Sequence, residues 1–307
     1  MAPLTTLLLP LVLLVNAARA AGPADIPAVL DSVPRVSTRE FELYGPTEEE
    51  VRKANDELRV AISQFVNFLG ENPRRMAFVL VRSAAEAGRI DPKPFARRNL
   101  PVTFWVLPGA AAPAGAPPAG AGSYPLGHAA GHRFLVAYVE HALAQAGASA
   151  APGGAPSAPS DTTHASIASV PDWLEEAVAA LCERPVLQKG RLDFMRAHLD
   201  ARIPFTELLA MPRPAPARAG GAKSAKQGTG AQAAGVDRSV VFCDESLALA
   251  RFIAHREEDR FVGTVLEGVL RGRTAADVLN TSQNLLSRPE ALEKQWLEWM
   301  QGAERTP

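Results

Sequence analysis

Three places in this 307-residue chain set histidine and carboxylate where they could act together. His128-Ala-Ala-Gly-His132 puts two imidazoles four residues apart, one turn along a helix, so both can reach a single ion. Ala137-Tyr138-Val139-Glu140-His141 has the same span, with histidine only at its end. Glu175-Glu176, following Trp173-Leu174, offers a carboxylate from a later segment. The chemistry of such a set is hydrolysis at zinc. Two imidazoles and a distant carboxylate hold the metal with one position open, and a carboxylate directly after the first imidazole takes a proton from water. That last group is absent from both spans, where Ala129 and Tyr138 stand in its place.

The two registers differ in what they keep. With His141 as second ligand, Ala137 replaces the first ligand and Tyr138 the base, which leaves only His141 and Glu176. The flanks Phe134-Leu135-Val136 and Ala142-Leu143 suit a buried metal helix. With His128 and His132, both imidazoles survive, Glu176 completes three ligands, and Glu175 is an unconventional candidate for the base. Pro125, Gly127 and Gly131 disfavour a helix there, so the His141 register is preferred. Loss of a general base typically costs about two to four orders of magnitude. Hydrolysis is therefore not expected on either register, and no cofactor is expected, zinc entering only with the set His128, His132 and Glu176. Plainer readings stay open: His141 as a helix surface histidine, Glu175-Glu176 as the polar face of an amphipathic helix, and Tyr138 filling the place of a metal. His164, His198 and His255 stand alone.

The elements that must position these residues follow from periodicity. Arg39–Tyr44, Met76–Val81 and Val102–Leu107 read as strands. Thr47-Glu-Glu-Glu50 opens a helix whose apolar residues Val51, Ala54, Leu58, Ile62, Phe65 and Leu69 step by three or four, and Gly70 and Pro73 end it. Helical signals dominate later, over Arg133–Ala144, Asp172–Leu181, Arg191–Ala201, a short piece at Ile203–Leu209, Val240–His255, Phe261–Leu270, the segment from Thr274, and that capped by Ser287-Arg-Pro-Glu290. The order is a strand-rich start and a helical remainder, an α+β pattern. Gly/Ala/Pro-rich tracts at about 109–123, 147–161 and 212–236 read as surface insertions within one domain, 37–303.

Composition bounds the rest. Lys+Arg of 32 against Asp+Glu of 33 gives a net charge of -1, so no global field draws in nucleic acid. Residues 1–20 combine an apolar run with Ala18-Arg19-Ala20, as in a secretory leader, followed by a flexible lead at 21–36; a periplasmic or extracellular place is expected, with no membrane span after its removal. Cys182 and Cys243 then form either one disulfide or two separate buried thiols.

Val170-Pro171-Asp172-Trp173-Leu174-Glu175-Glu176-Ala177 is similar to the third-ligand helix of the gluzincin-type zinc peptidases, the peptidase MA-like group, with Ala177 where Gly is usual. Pro204–Leu209 and Phe242–Leu247 resemble later elements of that group, and the likeness covers roughly residues 37 to 300. It implies a small sheet, a metal helix and a helical bundle, with Glu176 in the ligand position. Together with the missing base, it implies an exported, catalytically inactive relative that binds a peptide or protein. A working zinc peptidase on His128, His132 and Glu176 is the alternative, and an unrelated α+β interaction module is a third.

Overall fold

The structure, a computed structural model, describes residues 32–107, 125–150, 170–214, 236–286 and 288–302. A three-residue strand β1 (Arg35–Ser37) precedes β2 (Phe41–Tyr44), β3 (Met76–Val81) and β4 (Val102–Val106), the last three formed from short, mainly apolar runs. They lie in that order in one sheet, β1 antiparallel to β2 and the other two pairs parallel. Parallel neighbours need crossovers. Helix α1 (Glu48–Leu69) supplies the first, and α2 (Ala84–Ala87) and α3 (Lys93–Arg97) lie in the second. All of β3 is buried, as an unbroken apolar run between two parallel partners requires.

Contacts divide the chain into two compact units, with the boundary inside α1 between Arg59 and Val60. The first unit holds the sheet. Its core gathers Tyr44, Val79, Phe95 and Phe104, with the Tyr44 and Phe95 rings edge-on at 5.8 Å. Glu42 is buried there because three donors meet it: the Tyr44 hydroxyl at 2.5 Å, Arg98 and Arg75.

The second unit is helical, and together the two make an α+β protein. Its helices are α4 (Leu126–Ala150, from Gly127 on), α5 (Asp172–Leu181), α6 (Pro185–Ala197), α7 (Phe205–Leu208), α8 (Arg238–Arg256), α9 (Phe261–Leu270), α10 (Ala275–Leu279) and α11 (Pro289–Met300). Helix α8 is buried on every side from Val241 to Ala250 and packs against α5 and α6. Phe205 of α7 meets Trp296 of α11 at 5.3 Å between ring centroids. Gly272, at φ +83°, ends α9, and a Thr274–Asp277 capping box starts α10.

Several expectations change. Helix α4 starts at Leu126, so the glycines read as helix breakers lie inside it. Their cost in propensity, about 1 kcal/mol each, is outweighed by the helix contact described below. Helix α6 begins at Pro185, with proline in the first turn where its missing N–H is harmless, and ends at Ala197 before a short 3₁₀ turn. No disulfide joins Cys182 to Cys243; both are buried thiols, and burial pushes the Cys182 thiol up. The leader at 1–20, most of the lead and of the three tracts, and Ser287 lie outside the described residues. Among the described residues, no helix is long and apolar enough to cross a membrane.

Candidate metal centre

Two glycines set the geometry. A Cβ at Gly131 would stand 2.8 Å from the Cα of Ala179 and 2.9 Å from the Cβ of Cys182; one at Gly127 would stand 2.8 Å from the Cys182 carbonyl oxygen. Glycine at both places lets the backbones of α4 and α5 approach to where any side chain would collide. Each glycine directly precedes a histidine, so the face that touches α5 also carries His128 and His132.

Helix α5 is itself buried around almost its whole circumference, Glu176 included. The reading of Glu175-Glu176 as a solvated face therefore fails for Glu176, which has no exposure at all. Its carboxylate meets the two imidazoles. His128 Nε2 lies 3.2 Å from Glu176 Oε1, His132 Nε2 3.6 Å from Glu176 Oε2, and the two Nε2 atoms are 3.2 Å apart. Zinc bonds of ~2.0–2.1 Å at tetrahedral angles give ligand–ligand edges of roughly 3.3–3.4 Å. These separations bracket that edge.

The outer nitrogens explain why the inner ones are acceptors. His128 Nδ1 lies 2.8 Å from Glu183 Oε1, and His132 Nδ1 3.0 Å from Glu175 Oε1. Burial pushes both imidazoles down to about 4, with the Glu183 and Glu175 carboxylates pulling the other way, so both rings are neutral near pH 7. A neutral ring has one N–H. Given to the carboxylate at Nδ1, it leaves each Nε2 as a lone pair aimed at Glu176. Two lone pairs and a carboxylate then converge, an arrangement that a metal ion or a guanidinium relieves.

A second layer holds the first. Burial raises Glu183, but bonds from His128 and Arg191 outweigh it and hold the carboxyl below its usual range. Arg191 donates to Glu183 through Nε at 2.9 Å and Nη2 at 2.6 Å, and to Asp244 on α8 at 2.5 Å. Arg213 reaches the centre from beyond α7. Its Nη2 contacts Glu176 Oε2 and lies 3.4 Å from His132 Nε2, while its backbone N–H donates to Asp172 at 2.7 Å. Neither Glu176 oxygen accepts a hydrogen bond of ordinary geometry. Asp172, Glu175, Glu176, Glu183 and Asp244 thus set five carboxylates against the guanidiniums of Arg191 and Arg213.

The other register lies elsewhere. His141 is nine residues beyond His132, half a turn round the helix at 3.6 residues per turn. It is exposed and accepts a bond from the Gln145 amide at 2.8 Å. Ala137 and Tyr138 are buried, with Tyr138 6.3 Å from the Phe65 ring. Among the described residues, the set able to hold a metal is His128, His132 and Glu176, with ligand atoms all within 4.8 Å of one another. Sequence reasoning missed Glu183, Arg191 and Asp244, which have no diagnostic spacing. It missed Arg213 because Pro212 and Pro214 made the segment read as an insertion. No family model, curated protein or solved structure matches the chain.

Proposed function

We propose that the chain is a gluzincin-like protein that holds one divalent ion of the zinc type on His128, His132 and Glu176, and binds a peptide or protein without cutting it. The observation that carries this reading is the convergence of two imidazole lone pairs and a fully buried carboxylate at tetrahedral-edge distances. A divalent ion there supplies Lewis acidity toward an oxygen ligand in the remaining position. The place of the usual base holds no carboxylate. Ala129 follows the first histidine, and Glu175 is engaged by His132 Nδ1, orienting a ligand instead of activating water. On this reading the ligand set is His128, His132 and Glu176 without a catalytic carboxylate, in place of the vestigial site expected around His141. Export to the periplasm or beyond belongs to the same proposal and rests on the leader-like residues 1–20.

Metal analysis of the purified protein after zinc loading tests this. One chelator-removable ion per chain is expected. His128→Ala or Glu176→Gln should weaken binding by more than the ~10–100-fold typical of losing an outer-shell partner, and His141→Ala should leave it unchanged. No bound zinc in the wild type would sink the reading. Chelator-sensitive peptide cleavage by the loaded wild type would favour the working peptidase instead.

A further inference from the structure

We infer that Arg213 makes the open side of this centre a two-point site for a carboxylate, one oxygen on the metal and the other on the guanidinium. This rests on the metal centre proposed above. The side chains of His128 and Glu176 have no exposure, whereas those of His132, Glu175 and Arg213 are 21%, 27% and 18% exposed. The centre therefore opens on the side where these three stand, and a ligand taking the remaining position passes Arg213. Only 3.4 Å separates Arg213 Nη2 from His132 Nε2, a ligand atom of the ion.

In the described structure the guanidinium sits against Glu176 Oε2, the group an ion would also claim. An ion held by Glu176 would compete with the guanidinium for that oxygen and leave Arg213 able to serve another acceptor. Its Nε already lacks one. The backbone stays in place, because the Arg213 N–H is held by Asp172. A guanidinium fork fixed beside an open coordination position matches a planar carboxylate. Glu175 stands at the same mouth with its own negative charge, which disfavours a doubly charged phosphate and leaves a singly charged carboxylate as the ligand class.

The test uses full-length protein loaded with cobalt(II), whose visible spectrum reports on the coordination sphere. Titrated acetate should shift the spectrum and saturate, and acetamide should not. Arg213→Met should weaken acetate binding by about 10–100-fold, as expected for a lost charge-assisted hydrogen bond, with cobalt held at least as tightly as before. Arg213→Lys should fall between. Stronger binding of a tripeptide with a free C-terminus than of its amidated form would place the carboxylate at a peptide end; equal weak binding of the tripeptide acid and acetate would make the ligand a small free acid. Unchanged acetate affinity in Arg213→Met, or acetamide binding as well as acetate, overturns this inference and spares the metal centre. A wild type that takes up no cobalt overturns both.

Discussion

Helix α4 carries the same five-residue span twice, and the two copies have opposite fates. Around His141, the Tyr138 ring packs edge-on at 6.3 Å against Phe65 and the histidine is left in solvent. Around His128 and His132 the neighbours are Gly and Ala, and α5 comes close enough to press Glu176 between the imidazoles. A ligand face needs a close partner more than it needs an apolar flank. Bulk on the flanks makes a core, but it also holds the next helix at side-chain distance.

The comparison is sharpened most by restoring what the first copy lacks. Ala129→Glu rebuilds the carboxylate directly after His128. If the ligand set is as placed, zinc-loaded Ala129→Glu should hydrolyse a fluorogenic peptide ~10²–10⁴-fold faster than the wild type, the usual worth of a positioned general base, and chelator should abolish the gain. The equivalent change in the second copy, Tyr138→Glu, should give nothing. Activity from Tyr138→Glu and not from Ala129→Glu would reverse the assignment.

Much of the fold was legible, and so was half of the site. The β2, β3 and β4 runs, the Thr47 and Thr274 caps and the Gly70 and Gly272 stops carry local signals, and local signals survive tertiary context. The three-residue β1 does not, with only Val36 apolar between Arg35 and Ser37. Glu176 was singled out by its Trp-Leu-x-Glu setting, and the structure sets it beside His128 and His132. The helix through the histidine pair was missed because glycine was weighed for helix propensity alone, when its missing Cβ is what the helix contact uses. Arg213 and the Glu183–Arg191–Asp244 chain come from segments far apart in sequence, and single-sequence spacing carries no trace of them.

The glycine argument can be broken directly. Gly131→Val puts a branched side chain where even a Cβ lies 2.8 Å from the Ala179 Cα. Helix α5 must retreat, at ~1–3 kcal/mol of unfolding free energy by denaturant titration, and metal binding should fall with it. Gly190, which has nothing within 4 Å of such a Cβ, is the control, and Gly190→Ala should cost no stability. Equal stability and metal affinity in Gly131→Val would show that the close approach does not hold the site together.

The last comparison asks whether any buried carboxylate would have looked like a site. Glu245 on α8 is as buried as Glu176, but its setting differs: Oε2 accepts the Ile203 N–H at 2.8 Å, and Oε1 has no hydrogen-bond partner. Burial pushes its carboxyl up to about 8 from 4.5, with the Ile203 bond opposing. Below pH 4.5 the group is protonated folded or unfolded. Between 4.5 and about 8 the unfolded chain releases the proton while the folded chain keeps it, so its contribution to stability declines as pH rises, on the order of 1 kcal/mol per unit, and levels off above the folded value. Glu245→Gln removes that slope. Unfolding free energies at pH 5, 6, 7 and 8 should therefore fall more steeply for the wild type than for the variant, with zinc stoichiometry identical in both. Parallel curves would mean that Glu245 is charged in the fold, and a fully buried carboxylate would then keep its charge here without a cation beside it.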